Sequence, residues 1–280
     1  MTKAVADMVA VALDYPFARP THSYLFVDGD TIPLFESGED GVDVSLLQRG
    51  AAPMHERTAV LAYGANAAPS RLRHKFAAQA PGTVFPVFKA RLHDFDIVYA
   101  CHFSSYGAIP ATPAPCHGTV VEIAVTYLDH RQLSRMHETE LSGQSYVFGR
   151  LGGLTLEVEE IGTLGSVQSY WARHGYFAPT GSPLALAAIT AEGRRFAQAA
   201  QETAQILAGD RLAPGRGLHD VVAENASDPA LRRERSLALR AHAMPFDHPH
   251  REVLTGGSTF SPDGACNDDA GKQHGANPKI

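Results

Sequence analysis

The pattern of apolar and polar positions along the chain predicts a β-rich centre with an early hairpin and a helical end. Ser23–Asp30 (SYLFVDGD) has the aromatic and β-branched content of a strand and closes on Asp-Gly, so Thr31–Phe35 (TIPLF) is its expected hairpin partner. Ser37–Gly41 (SGEDG) reads as a loop. Thr58–Gly64 (TAVLAYG) is a short apolar run ending at glycine, the pattern of a buried strand. Asn66–Pro81 follows directly, with Pro69 in a first helical turn ahead of good helix formers. Strands are expected over Val84–Leu92, Asp94–Phe103 and His117–Leu128, the last alternating clearly, and then a short helix over Asp129–Glu140. Two further strands, Ser145–Leu151 and Leu154–Leu164, precede Ser166–Phe177.

From Thr190 to Arg240 the pattern is helical, with one helix ending at Gly209 and another near Leu231–Arg240. Phe196, Ala199, Thr203 and Ile206–Leu207 fall on one apolar stripe that must pack somewhere. Against the rest of the chain it would build a single larger domain; against another copy it would build a homodimer. Gly256–Ile280 is polar, rich in Gly and Asp, with Phe260 and Ile280 as its large apolar residues, and is expected to be disordered. No internal repeat is found.

Composition narrows the classes. The 280 residues are 44% hydrophobic, enough for a sizeable core. Lys and Arg number 24 against 30 Asp and Glu, a net charge of −6 that offers no global field to hold polyphosphate, so nucleic acid is not the expected partner. No run reaches the roughly 18 apolar residues of a membrane span. Met1–Leu13 has one basic residue and then Asp7 inside its apolar stretch, a poor signal-peptide pattern. Three cysteines, Cys101, Cys116 and Cys266, make no disulfide framework. A soluble cytoplasmic domain is the expectation.

Two features carry candidate chemistry. Tyr63-Gly64-Ala65-Asn66 sits where a buried strand turns into a helix. Unpaired amides at a helix start, with the positive end of its dipole behind them, suit a carboxylate or a developing oxyanion, although the same junction also serves as plain turn chemistry. The second feature is the short helix. Asp129 and Gln132 fit a capping box. At about 100° per residue, Leu133, Met136 and Glu140 fall within roughly 60° of one another, whereas Glu138 lies about 140° from Leu133. Glu140 therefore takes an apolar-facing position near a helix C-terminus, where both desolvation and the dipole disfavour the anion and favour work as a general base. The alternative is a Glu140 that bends out to solvent or pairs with Arg135 or Arg150.

With these residues in place the sequence resembles the gamma-glutamylcyclotransferase family. That family has a strand ending in Tyr-Gly-Ser-Asn before a helix. A Gly-Val-Val-Tyr-like strand comes later, then a helix ending in a Glu-x-x-Glu-Gly-like segment, and a tyrosine shortly after. The matching stretches are Leu61–Asn66, Gly118–Leu128, His137–Gly143 and Ser145–Phe148, and Tyr106–Pro115 resembles the loop before the central strand. The resemblance covers roughly Thr58–Tyr176. It implies an α+β fold with a small mixed β-barrel and flanking helices over 58–177. Around it would stand an N-terminal β extension (1–57), a helical C-terminal extension (178–255) and the tail (256–280).

The resemblance also implies Glu140 as catalytic base and Tyr63, Gly64, Ala65 and Asn66 as the substrate cradle. Tyr146 and Tyr170 would be further substrate-binding tyrosines. Ala65 replaces the usual serine and Leu141 the usual glycine. The implied reaction is closure of a small γ-glutamyl compound to 5-oxoproline, with no metal, cofactor or nucleophilic cysteine or serine required. Hydrolysis or decarboxylation of a small amide or carboxylate is the alternative on the same scaffold, and non-catalytic binding of a small molecule is another.

Other clusters read more plainly. In Cys101-His102 and Cys116-His117 adjacent side chains point to opposite faces, which leaves a zinc site short of ligands. His248-Pro249-His250 is expected in a solvated loop, Glu157, Glu159 and Glu160 on the wet face of a strand, and Arg232, Arg233 and Arg235 on an ordinary charged helix face. Ser104-Ser105 has no nucleophile elbow around it.

Overall fold

The computed structural model describes residues 2–34 and 41–255. Thr2 caps α1 (Lys3–Leu13), and Val9 and Ala12 of that helix turn inward. The hairpin of β1 (Tyr24–Val27) and β2 (Asp30–Pro33) turns on Asp28 and Gly29, both at positive φ as a two-residue type I′ turn requires. Next come α2 (Gly41–Leu47), β3 (Thr58–Ala62) and α3 (Pro69–Phe76), the last with its proline in the first turn. The two long strands β4 (Val84–Tyr99) and β5 (Ala111–Leu128) are followed by α4 (His130–Glu140) and the hairpin of β6 (Tyr146–Val158) and β7 (Gly162–Ala172). Short strands β8 (Tyr176–Phe177), β9 (Ala185–Leu186), β10 (Ala191–Glu192) and β11 (Gln198–Ala199) lead to α5 (Gln201–Leu212), α6 (Leu218–Ser227) and α7 (Pro229–Leu239). The strands β12 (Ala243–Met244) and β13 (Arg251–Thr255) end the described chain. No helix among the described residues is long and apolar enough to cross a membrane.

The fold is α+β, built on a closed barrel in the order β5-β3-β7-β6-β4, with β4 pairing back onto β5. The β3–β7 pairing is parallel and the other four are antiparallel. Period-2 alternation separates two cores. Leu61, Tyr63, Val121, Ile123 and Val125 face the barrel interior, whereas Val60, Ala62, Ala124 and Leu128 face the layer formed by α3 and α4. In that outer layer Leu72 and Phe76 of α3 meet Met136 of α4, Phe85 and Phe148. The capping box of α4 forms as its sequence predicts: the Gln132 amide donates to Asp129 Oδ1 at 2.8 Å, and the Asp129 amide donates to Gln132 Oε1 at 3.1 Å.

Several expected elements differ. Val84–Leu92 and Asp94–Phe103 are one strand that ends at Tyr99; the apparent break is a bulge at Asp94, at φ +58, whose carboxylate accepts from the Gly118 amide. β5 starts six residues earlier than expected, so Ala111–Pro115 are strand and not loop. Leu154–Leu164 spans a turn between β6 and β7. Residues 3–13 and 41–47 are helices, so the N-terminal part is not a β extension alone; Gly41 opens α2, while Phe35 and the rest of the expected loop lie outside the described residues. The expected disordered tail lies outside them as well.

The segment 190–200 is extended, although its local sequence favours helix. Gly193, at φ +64, packs where a Cβ would press on the Gly118 carbonyl, and Arg194 is drawn to buried Asp96. The helix therefore starts at Gln201, and its buried face is Ala204, Gln205, Ala208 and Gly209, with Thr203 and Ile206 exposed. His248 is buried, not solvated: its Nε2 lies 2.9 Å from the Gly152 carbonyl oxygen and its ring packs edge-on against Phe95.

Asp96 accepts from Nε and Nη2 of Arg194, at 2.9 Å each, in the bidentate geometry that ties the 190–200 segment to β4. Asp96→Ala strands the guanidinium and is expected to cost about 3–5 kcal/mol, read as a lowered urea midpoint. A loss below about 1 kcal/mol, the range of an exposed pair, would show that the pair does not hold the segment.

Candidate active site

The C-terminal end of β3, the last turn of α4, the start of β5 and one face of α7 surround a cleft of about 1950 Å³. All seven residues singled out from the sequence line it: Tyr63, Gly64, Ala65, Asn66, Glu140, Tyr146 and Tyr170. The helix phase worked as expected. Glu138 is 64% exposed and bonded to Arg135 at 2.7 Å, whereas Glu140 is 16% exposed beside buried Met136.

Glu140 pairs with neither Arg135 nor Arg150, the partners weighed from sequence; Arg150 is bonded to Glu252. Its partner is Lys75, 12% exposed, whose Nζ contacts Glu140 Oε1 and also donates to Asn66 Oδ1. Asn66 Nδ2 donates to the same Glu140 oxygen at 3.4 Å. One carboxylate oxygen is thus held by an amide and an ammonium, and Oε2 accepts no hydrogen bond among the described residues. Lys75 was missed from sequence because RLRHK reads as a solvated charged run. The signal was its phase: Lys75 stands one turn after Arg71 on α3, and both line the cleft.

The loop differs from the expected helix N-terminus. A 3₁₀ turn over Ala65–Ala67 separates it from α3, and the Ala67 and Ala68 amides bond to the Gly64 and Ala65 carbonyl oxygens. The amides of Ala65 and Asn66 find no acceptor among the described residues. Gly64 has φ −127, so its need for glycine is not a left-handed backbone. The reason is steric: an added Cβ would overlap the Tyr15 hydroxyl and meet Ala111 Cβ at 3.4 Å.

Tyr15 brings the N-terminal segment into the site. Its hydroxyl accepts from the Ala111 amide at 2.7 Å, and Tyr146 donates to the Ala111 carbonyl oxygen at 2.8 Å, so both backbone groups of that residue are held by tyrosines. Tyr63 donates to the Tyr170 carbonyl oxygen at 2.7 Å, and the Tyr170 hydroxyl lies 2.7 Å from His137 Nδ1. Burial, and to a lesser degree the Glu140 charge, pushes Tyr15, Tyr63 and Tyr146 well above the ordinary phenol range. These tyrosines stay protonated and build walls. Arg71, also missed from sequence, packs over the adjoining rings of Phe17 and Tyr106, at 4.9 and 4.8 Å from their centres, with its buried Nε unpartnered.

No family model matches the chain, and no curated protein matches it. Among solved structures it is similar to a protein titled gamma-glutamyl cyclotransferase, with 16% identity and a TM-score of 0.34 over 75% of this chain and 96% of that one. A structure of an uncharacterized protein from Homo sapiens aligns with the same identity, TM-score and coverage.

The contact between Gly64 and Tyr15 generates a double-mutant test. Gly64→Ala should cost about 1–3 kcal/mol through overpacking, and Tyr15→Phe about 1–3 kcal/mol by leaving the Ala111 amide unpaired. Because the phenylalanine also removes the atom that the new Cβ strikes, the double variant should be at least about 1 kcal/mol more stable than the sum predicts. Additive losses in denaturant unfolding would separate the two residues.

Proposed function

We propose that the protein is an enzyme of the gamma-glutamyl cyclotransferase type, closing a small γ-glutamyl compound to 5-oxoproline with Glu140 as general base. The observation that carries this reading is the state of that carboxylate. It faces the cleft beside the Tyr63–Asn66 loop, with Oε1 held by Asn66 and Lys75 and Oε2 open. The Lys75 ammonium already stands against Glu140, which is the contact a substrate α-ammonium would make on the other oxygen.

The step follows from the groups present. Glu140 Oε2 takes a proton from the α-ammonium, and the freed amine attacks the γ-carbonyl carbon of the same molecule. The attacking nitrogen, cationic once bonded, gives up a second proton as the carbon–nitrogen bond to the leaving amine breaks, and the leaving nitrogen takes up both protons through Glu140 and departs as an ammonium. Water is neither added nor lost. Attack within one molecule gains the proximity advantage, so the protein has to fold the substrate and relay protons from the attacking to the leaving nitrogen. The Ala65 and Asn66 amides are the donors available to the oxyanion, and Ala65 supplies its backbone amide as well as a serine would. Arg71, packed over two rings at the cleft wall, is the cation available to take the α-carboxylate through its fork. Tyr63, Tyr146 and Tyr170 shape the wall against which the glutamyl chain would bend.

The test is a pair of variants assayed for 5-oxoproline on γ-glutamyl dipeptides and amides. Glu140→Gln keeps shape but removes the base, and activity should fall by about two orders of magnitude or more with the fold intact. Glu138→Gln, on the exposed face, should stay within about twofold of the parent, in keeping with the small worth of a surface pair. The reverse ranking, or glutamate in place of 5-oxoproline, would overturn the reading.

A further inference from the structure

We propose that Phe17 is a positioning residue for Arg71, so that the segment after α1 completes the place where the α-carboxylate of the substrate is held. Naming that carboxylate rests on the γ-glutamyl reading above; the contact between ring and guanidinium does not.

Arg71 stands in the first turn of α3, where the positive end of the helix dipole disfavours a cation. The carboxylates that line the cleft among the described residues, Glu138 and Glu140, are paired with Arg135 and Lys75. Arg71 itself makes no hydrogen bond or ion pair among the described residues, and its buried Nε has no partner. Two rings take the place of a counter-charge. The guanidinium carbon lies 4.9 Å from the centre of Phe17 and 4.8 Å from that of Tyr106, and the rings are inclined at 55° with their centres 5.8 Å apart. Burial pushes the Tyr106 phenol up to about 12, so that side chain offers a neutral ring and no anion. A ring that attracts a guanidinium uses none of its N–H groups, which stay available to a carboxylate.

Phe17 is held in a backbone conformation that bulky residues rarely adopt. Its φ is +69, in the left-handed region. The segment is tied down on both sides. Asp14 ends α1, which packs on α6, and its carbonyl oxygen accepts from the Phe17 amide at 2.8 Å. Tyr15 is anchored at the Ala111 amide, and its ring meets Phe17 edge-on at 5.9 Å. Such conformations persist only where the surroundings fix them, and they gather at functional sites.

The second ring is pinned from the other end of the chain. Gln205 of α5 donates to the carbonyl oxygen of Gly107, next to Tyr106, at 2.7 Å. Gly107 itself, at φ +85, lies so close to α6 that a Cβ would press on the Val222 carbonyl oxygen at 2.9 Å. Segments from both sides of the barrel sequence thus meet over one side chain of α3. The loss of the Phe17 ring should therefore be felt by the one ligand group that Arg71 holds.

The experiment is calorimetric binding to the full chain of γ-glutamyl ethylamide and of 4-aminobutanoyl ethylamide, the same molecule without its α-carboxylate. Formation of the two lactams, 5-oxoproline and 2-pyrrolidinone, is followed in parallel. The parent should bind the first probe at least about tenfold tighter, and Arg71→Gln should cut that preference to about twofold or less. Phe17→Leu keeps apolar bulk but removes the ring face, and should cut the preference about three- to tenfold. Pentafluorophenylalanine at position 17 keeps the ring's shape and reverses the charge of its face, so it should act as leucine does even where leucine disturbs the packing. In the Arg71→Gln background neither change at position 17 should reduce the preference further. Arg233→Gln removes an exposed cleft cation on α7 and should leave the preference within about twofold.

Equal weakening of both probes by the changes at position 17, or an effect that persists without Arg71, would make Phe17 a packing residue and overturn the proposal. So would a fluorinated variant with the parent's preference, a parent that binds the probes equally or not at all, or a loss in Arg233→Gln as large as that in Arg71→Gln. A preference that depends on Phe17 and Arg71, with no lactam formed, would uphold the positioning role and overturn the cyclotransferase reading. Lactam release indifferent to both residues would do the reverse.

Discussion

Between Val87 and Tyr99, β4 is paired with β5 along almost its whole length, and this ladder closes the ring of five strands. Its lower half builds the barrel. Its upper half, beyond the bulge at Asp94, carries Ala111 to the floor of the cleft, where Tyr15 and Tyr146 grip both its backbone groups. The same ladder holds Asp96 for Arg194 and so draws the 190–200 segment onto the barrel. Without that pairing, the loop at the end of β3 and the carboxylate at the end of α4 would have no common frame.

Within that frame the chemistry turns on one carboxylate placed where water is scarce. A half-buried anion needs a counter-charge or hydrogen bonds, and Glu140 has both, from Lys75 and Asn66 on a single oxygen. The helix phase alone suggested a carboxylate disfavoured by its surroundings; the lysine changes that picture to a charge that is met on one side and open on the other. Arg71 repeats the theme on α3, where two aromatic rings fix its orientation.

The local signals were legible where local physics decides. The Asp129–Gln132 cap, the phase of Leu133, Met136 and Glu140, the β1–β2 turn and the proline start of α3 all follow from short-range rules, and the structure has them. Long-range rules decided the rest. The bulge at Asp94 looks like a strand end in sequence because its partner, Gly118, is 24 residues away. The 190–200 segment looks helical until buried Asp96 claims Arg194. Tyr15, Phe17, Lys75 and the α7 arginines were invisible as site residues because only the fold brings them to the loop; in sequence they sit in a stretch of turns and in charged helices. Arg232 and Arg233 are the sharpest case, since an ordinary charged face and the wall of a cleft have the same pattern.

The most direct test of the central claim is to run turnover in water enriched in oxygen-18 and weigh the products of a γ-glutamyl amide. Intramolecular attack by the α-amine, with Glu140 moving the proton, predicts 5-oxoproline that carries no heavy oxygen, together with the free amine. Glutamate carrying one heavy oxygen would mean that water, and not the substrate's own nitrogen, attacks the carbonyl, and the account of Glu140 given above would be wrong.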